Sequence, residues 1–105
     1  MTRNSIRGSS DRSVLILTSL ADSPKHGYAL IKDIEEFAGV SLGAGTLYGA
    51  LARLEKAGLV TALPEQDRRR PYQITPAGRE QLRERLSEAA RIAAVGLRRI
   101  AAEPS

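Results

Sequence analysis

Residues 44–75 read AGTLYGALARLEKAGLVTALPEQDRRRPYQIT, and their pattern decides the fold. Leu47, Leu51 and Leu54 recur at i, i+4 and i+7, which places them on one apolar stripe of a helix predicted over Ala44–Ala57. Gly43 or Gly45 stands at its start, where glycine is acceptable as a cap, and Gly58 stands at its stop. Leu59–Leu63 reads as a strand, Pro64–Arg70 as a polar stretch, and Pro71–Thr75 as a second short strand whose proline suits a strand start or an edge. The stretch is therefore a helix followed by a hairpin with a long charged tip.

Upstream lie two more periodic segments. Val14, Leu15, Ile16, Leu17 and Leu20 cover much of the circumference of a helix predicted over Asp11–Leu20, which implies burial on more than one side. Ser10 or Asp11 can cap it, and Asp22-Ser23-Pro24 ends it. A second helix starts near Lys25-His26-Gly27-Tyr28 and stops at Gly39. Leu30, Ile31, Ile34 and Ala38 form its apolar face, opposite Lys32, Asp33, Glu35 and Glu36.

Downstream, Thr75 is a good N-cap and Pro76 a good first helical residue for a segment reaching about Ala102. Leu82, Leu86, Ala89, Ala93, Leu97 and Ile100 recur along it at helical steps. Such a helix extends roughly 40 Å at ~1.5 Å per residue. A preceding body of about 75 residues has a radius of gyration near ~11 Å and cannot easily cover that length. The stripe either folds back on its own domain or meets the same helix of a second copy about a two-fold axis, and the second arrangement is the expected one.

The expected architecture is thus mainly α with a small β-hairpin. A flexible basic arm (1–10, with Arg3 and Arg7) precedes a winged helix-turn-helix (11–75), and one long C-terminal dimerisation helix and tail (76–105) follow. In that layout the third helix enters the major groove of DNA and the wing grips the flanking backbone.

Charge placement agrees with this layout. No acidic residue occurs from Val40 through Leu54, where Arg53 is the single charge, and the exposed side of that helix offers Gly45, Thr46, Tyr48, Gly49 and Arg53. The acids Asp33, Glu35 and Glu36 lie towards the far end of the second helix, while Lys25 and Tyr28 at its start stand where they can reach backbone phosphates. Arg68, Arg69 and Arg70 form the hairpin tip, where three adjacent cations can straddle a phosphate strand or enter a narrow minor groove. Each feature also has a plainer reading. The arginines would suit a solvated loop that blocks sheet-edge pairing. The Tyr48 and Tyr28 rings would close the core, Thr46 would merely cap, His26 would cap or pack locally, and Tyr72 would sit in the core.

The chain has 105 residues, enough for one modest domain, and its 42% hydrophobic and 27% charged residues are ordinary for a soluble fold. Of its 16 basic residues 13 are Arg, whose flat fork suits phosphates and guanine edges, although a composition biased towards Arg and Ala would give the same count. The net charge of +4 favours a polyanionic partner. There is no Cys and a single His, so neither a Cys/His catalytic pair nor a thiolate or paired-histidine metal site can form. Gly43, Gly45 and Gly49 do not have dinucleotide-loop spacing. No enzyme, cofactor, signal peptide or membrane span is expected, and the expected setting is the cytoplasm.

Three motifs together carry a family likeness: His26-Gly27-Tyr28; Gly45-Thr46-Leu47-Tyr48 with Leu51, Leu54, Glu55, Gly58 and Leu59; and Arg69-Arg70-Pro71-Tyr72-Gln73-Ile74-Thr75-Pro76-Ala77-Gly78. Over roughly residues 12–90 the chain resembles the PadR family of transcription regulators in its short form, with one C-terminal helix. The resemblance implies a homodimeric repressor that binds double-stranded operator DNA, released in many relatives by a small aromatic or drug-like effector. Two departures stand out. Position 49 is Gly where many relatives have Pro, and the chain has no Trp, so a tryptophan sandwich around a flat effector cannot operate. A winged helix serving only as a protein–protein interaction module is the rival reading, and it would want an apolar or acidic third-helix surface.

Overall fold

The computed structural model describes residues 12–102. The expected N-terminal arm, and the expected cap at Ser10 or Asp11, lie outside the described residues. Helix α1 occupies 12–20, α2 Gly27–Ala38, α3 Ala44–Lys56, and α4 Pro76–Ala101, with strands β1 (Val60–Ala62) and β2 (Tyr72–Ile74) between α3 and α4. The chain is therefore mostly helical with one antiparallel hairpin, as its periodicities require.

Local chemistry sets the boundaries. The His26 side chain accepts from the Ala29 amide to cap α2, and Gly39 ends that helix in the left-handed region at φ 69°. Gly58, at φ 81°, turns the chain out of α3, and the Leu59 amide bonds back to the Leu54 carbonyl at 2.9 Å. Thr75 accepts from the Gly78 amide (3.0 Å) and donates to the Gly58 carbonyl (2.7 Å), so one hydroxyl caps α4 and ties it to the exit of α3.

One core joins all these elements. It comprises Ile16, Leu17 and Leu20 of α1, Leu30 and Ile34 of α2, Leu47, Ala50, Leu51 and Leu54 of α3, Val60 and Ile74 of the hairpin, and Leu82 of α4. The hairpin register pairs Val60 with Ile74 and Ala62 with Tyr72, which turns Val60 and Ile74 inward together. Tyr72 also pairs through its backbone with Lys25, so the α1–α2 loop serves as a one-residue third strand of the wing. Sequence pattern carries no sign of that bridge, because a single residue has no periodicity.

Leu82 corrects one expectation. Helical spacing puts it at the head of the dimer seam, but it is buried in the chain's own core because the first turns of α4 pack on the hairpin. Gly78 makes that packing possible: a Cβ there would lie 2.2 Å from the Leu59 carbonyl oxygen and 2.8 Å from Ile74 Cγ1. Beyond these turns α4 projects freely. The radius of gyration is 15.8 Å and the long dimension 59 Å, against about 13 Å for the radius of a compact chain of about 100 residues.

Candidate nucleic-acid interface

Helix α3 is set by its buried stripe. Leu47, Leu51 and Leu54 are at most 5% exposed, so the opposite side faces solvent. At 3.6 residues per turn, Gly45, Gly49, Ala52 and Lys56 form the crest of that side, and all four are exposed. Tyr48 flanks the crest on one edge, Thr46 and Arg53 on the other. The crest is thus nearly bare of side chains over its first two turns, a shape that allows close backbone approach to a ligand.

Tyr48 leans onto α2. A Cβ on Gly27 would meet Tyr48 Oη at 2.1 Å and Cζ at 2.6 Å, so the phenol lies directly across the first residue of α2. This explains why the two motifs that contain Gly27 and Tyr48 occur together: each supplies half of one contact. Tyr48 remains 47% exposed and Tyr28 64%, so neither ring closes the core. Tyr72 is the half-buried aromatic packed against it. Burial raises the Tyr72 phenol above its ordinary range, and the charges of Glu55 and Tyr48 add to that effect against the opposing Arg70.

The wing tip is a tight turn closed by reciprocal backbone bonds between Gln66 and Arg69 (2.7 and 2.8 Å). Its two central residues, Asp67 (φ 50°) and Arg68 (φ 66°), both adopt the left-handed conformation of a type I′ hairpin turn. The three arginines then diverge. Arg70 donates to the Leu63 carbonyl at 3.2 Å, Arg69 Nη1 lies 3.1 Å from His26 Nε2, and Arg68 sits exposed at the apex.

A neutral imidazole accepts at one nitrogen only, so the His26 tautomer decides which bond is made, from the Ala29 amide to Nδ1 (3.3 Å) or from Arg69 to Nε2 (3.1 Å). The Tyr48 phenol borders the same space. His26, Gly27, Tyr28, Tyr48, Glu65 and Arg68–Arg70 line a cleft of about 400 Å³, open to solvent between the wing and the α2–α3 pair.

The structure brings Tyr28, Tyr48 and Arg68–Arg70 together around the cleft and leaves the other α3 residues singled out from the sequence, Gly45, Thr46, Gly49 and Arg53, exposed on that helix. Lys25 does not join them. Its ammonium donates to the Ser19 carbonyl at the end of α1 and to Asp22 (2.7 Å), a pairing that lowers the Asp22 pKa. Ser19 in turn donates to Asp33 at 2.6 Å, so this group of polar side chains fastens α1 to α2. Sequence reasoning misses that His26 meets the wing arginine Arg69 at the edge of the cleft. The signal is the His-Gly-Tyr start of α2, where a capping imidazole must turn its second nitrogen outward.

On α4, Leu86, Leu97 and Ile100 are 43, 68 and 69% exposed, and Ala89 and Ala93 are exposed between them. Ile92, 64% exposed on the flank of this stripe, escapes the sequence pattern because it falls off the regular steps of the seam. Among the described residues no cluster of His, Asp or Glu could hold a metal ion, and no helix is long and apolar enough to cross a membrane.

Comparison with known proteins follows the same outline. The model of the transcriptional regulator PadR-like family matches residues 16–84. An uncharacterized 37.1 kDa protein in transposon TN4556 of Streptomyces fradiae is 51% identical over 82 residues, which cover 78% of this chain and 24% of that protein. The chain thus spans about a quarter of the length of this curated relative. A PadR family transcription regulator from Clostridium difficile superposes with a TM-score of 0.76 at 26% identity, covering 85% of this chain and 97% of that one. A transcriptional regulator from Clostridium thermocellum gives 0.74 at 30% identity, covering 90% and 93%. A PadR-like transcriptional regulator from Bacillus cereus shares the fold, with a TM-score of 0.72 at 21% identity over 88% and 92% of the two chains.

Proposed function

The chain belongs to the PadR-like family of transcriptional regulators, and from that premise we propose that it works as a homodimer that seats α3 in the major groove of a specific operator and sets its wing on the flanking backbone. One observation carries the reading. Helix α3 carries no acid before Glu55 in its last turn, and its Tyr48 lines one open cleft with the three arginines of the wing, His26, Tyr28 and Glu65. Fixed cations at such spacing release condensed counterions from duplex DNA. The contact set is Tyr28, Gly45, Thr46, Tyr48, Gly49, Arg53, Arg68, Arg69 and Arg70. Lys25 is left out because Ser19 and Asp22 already engage it.

The second copy pairs through α4. Leu86 and Ile100, Ala89 and Leu97, and Glu88 and Arg98 are each placed symmetrically about Ala93. An antiparallel pair centred on Ala93 therefore sets large residues against large, small against large, and acid against base. Seated on a promoter, such a dimer occludes polymerase, so the expected sign of regulation is repression. Relief by a small aromatic effector would have to proceed without a tryptophan sandwich.

The test is binding of fluorescent duplex DNA across a salt series. The expected result is specific binding whose log affinity falls linearly with log salt. Replacing Arg68, Arg69 and Arg70 by Ala should make the slope shallower by about 0.9 for each phosphate that is no longer neutralised. A flat salt response would refute the electrostatic grip and favour a protein-binding module. For the dimer, light scattering should give twice the chain mass, reduced to one by Leu97→Asp.

A further inference from the structure

Little in the middle of the α3 crest can form hydrogen bonds with a base. Gly45, Gly49 and Ala52 offer nothing larger than a methyl, Tyr48 is turned aside onto Gly27, Thr46 stands in the first turn and Lys56 at the last residue of the helix. Arg53 is different. Helical side chains lean towards the N-terminus, and Arg53 Nη1 lies 3.9 Å from where a Cβ on Gly49 would stand. The guanidinium has been carried back a full turn, over the middle of the crest, to ordinary contact distance of the Gly49 position. Among the described residues it has no hydrogen-bond or ion-pair partner, and no acid occurs between Val40 and Leu54 to hold it. The other arginines of this surface, Arg68–Arg70, belong to the wing, to one side of the crest.

We propose that Arg53 is the base-reading residue of this protein, and that it selects a guanine at one position of each operator half-site. The inference rests on the DNA-binding reading above and deepens it. When the crest points to the groove floor, the Arg53 fork arrives with its donors unengaged by the described residues. Guanine presents two acceptors side by side in the major groove, O6 and N7, which match that fork, whereas adenine replaces one of them with a donor. Gly45 and Gly49, having no side chains, let the helix backbone approach the groove closely.

The experiment is selection of bound duplexes from a randomised library by the full chain, by Arg53→Ala and by Arg53→Lys, followed by affinity measurements on single-base variants of the selected site. The parent should enrich guanine at one position per half-site, and changing that guanine to adenine should weaken its binding roughly 10- to 100-fold. Arg53→Ala should become indifferent to that change while keeping its preferences elsewhere, and Arg53→Lys should keep the salt slope with a smaller discrimination. Arg53 is exposed, so neither substitution disturbs the core, and matching thermal melts would confirm that. If Arg53→Ala weakens all duplexes equally with its sequence preference unchanged, Arg53 is a phosphate contact and the inference is overturned. A parent that retains no duplex at low salt would instead overturn the DNA-binding reading and take this inference with it.

Discussion

Replacing Arg68 by glycine should make the protein more stable and a weaker binder at once. Asp67 and Arg68 hold the two central positions of the wing turn at φ 50° and 66°. Asp tolerates the left-handed region because its short side chain bonds locally, but for other L-residues it costs roughly 1–2 kcal/mol. Glycine removes that cost and gives back about 0.5–1 kcal/mol through its greater unfolded-state freedom. The net expectation for Arg68→Gly is a gain of about 0.5–1 kcal/mol, a rise in Tm of a few degrees for a chain of this size. Arg68→Ala serves as the control, since it removes the same charge and keeps the left-handed backbone. Thermal unfolding by circular dichroism gives the stability, and anisotropy titrations against salt give the binding. Both variants should lose about one unit of salt slope on cognate DNA, while only the glycine variant gains stability. Equal Tm values for the two variants would refute the strain argument. An unchanged salt slope in both would show that the apex arginine does not touch phosphate.

Other expectations follow from packing and titration. Gly27→Ala drives a methyl into the Tyr48 phenol, and a destabilisation of about 1–2 kcal/mol is expected; the loss should shrink in a Tyr48→Ala background, and a double-mutant cycle in urea measures the coupling. Gly78→Ala is costlier, because the obstructing atom is the Leu59 carbonyl oxygen at 2.2 Å and backbone cannot swing aside; about 2–4 kcal/mol is expected from denaturant midpoints. Burial foremost, then Glu55 and Tyr48, hold the Tyr72 phenol protonated to higher pH than in the unfolded chain. Above about pH 10 the unfolded chain has therefore shed a proton that the folded chain keeps, and stability falls as pH rises. Tyr72→Phe should flatten that alkaline loss relative to neutral pH, as read from urea unfolding at the two pH values.

The elements of this protein are legible in its sequence because each rests on local chemistry. Helical steps of three and four mark the apolar faces of α2, α3 and α4, and Gly39, Gly58, Thr75 and Pro76 mark where helices stop or start. The basic wing tip is legible too, since three consecutive arginines between two strand signals leave few other places for the turn. Pairings between distant segments are not. That Tyr48 needs Gly27, that Gly78 needs the space beside Leu59, that Lys25 joins the wing and turns its charge inward, and that Leu82 serves the core while Leu86 is left outside are facts about surfaces meeting. Periodicity says which side of an element is apolar but is silent on which neighbour covers it, or for how many turns. Only the packed chain fixes those distances, and they decide which cations face outward.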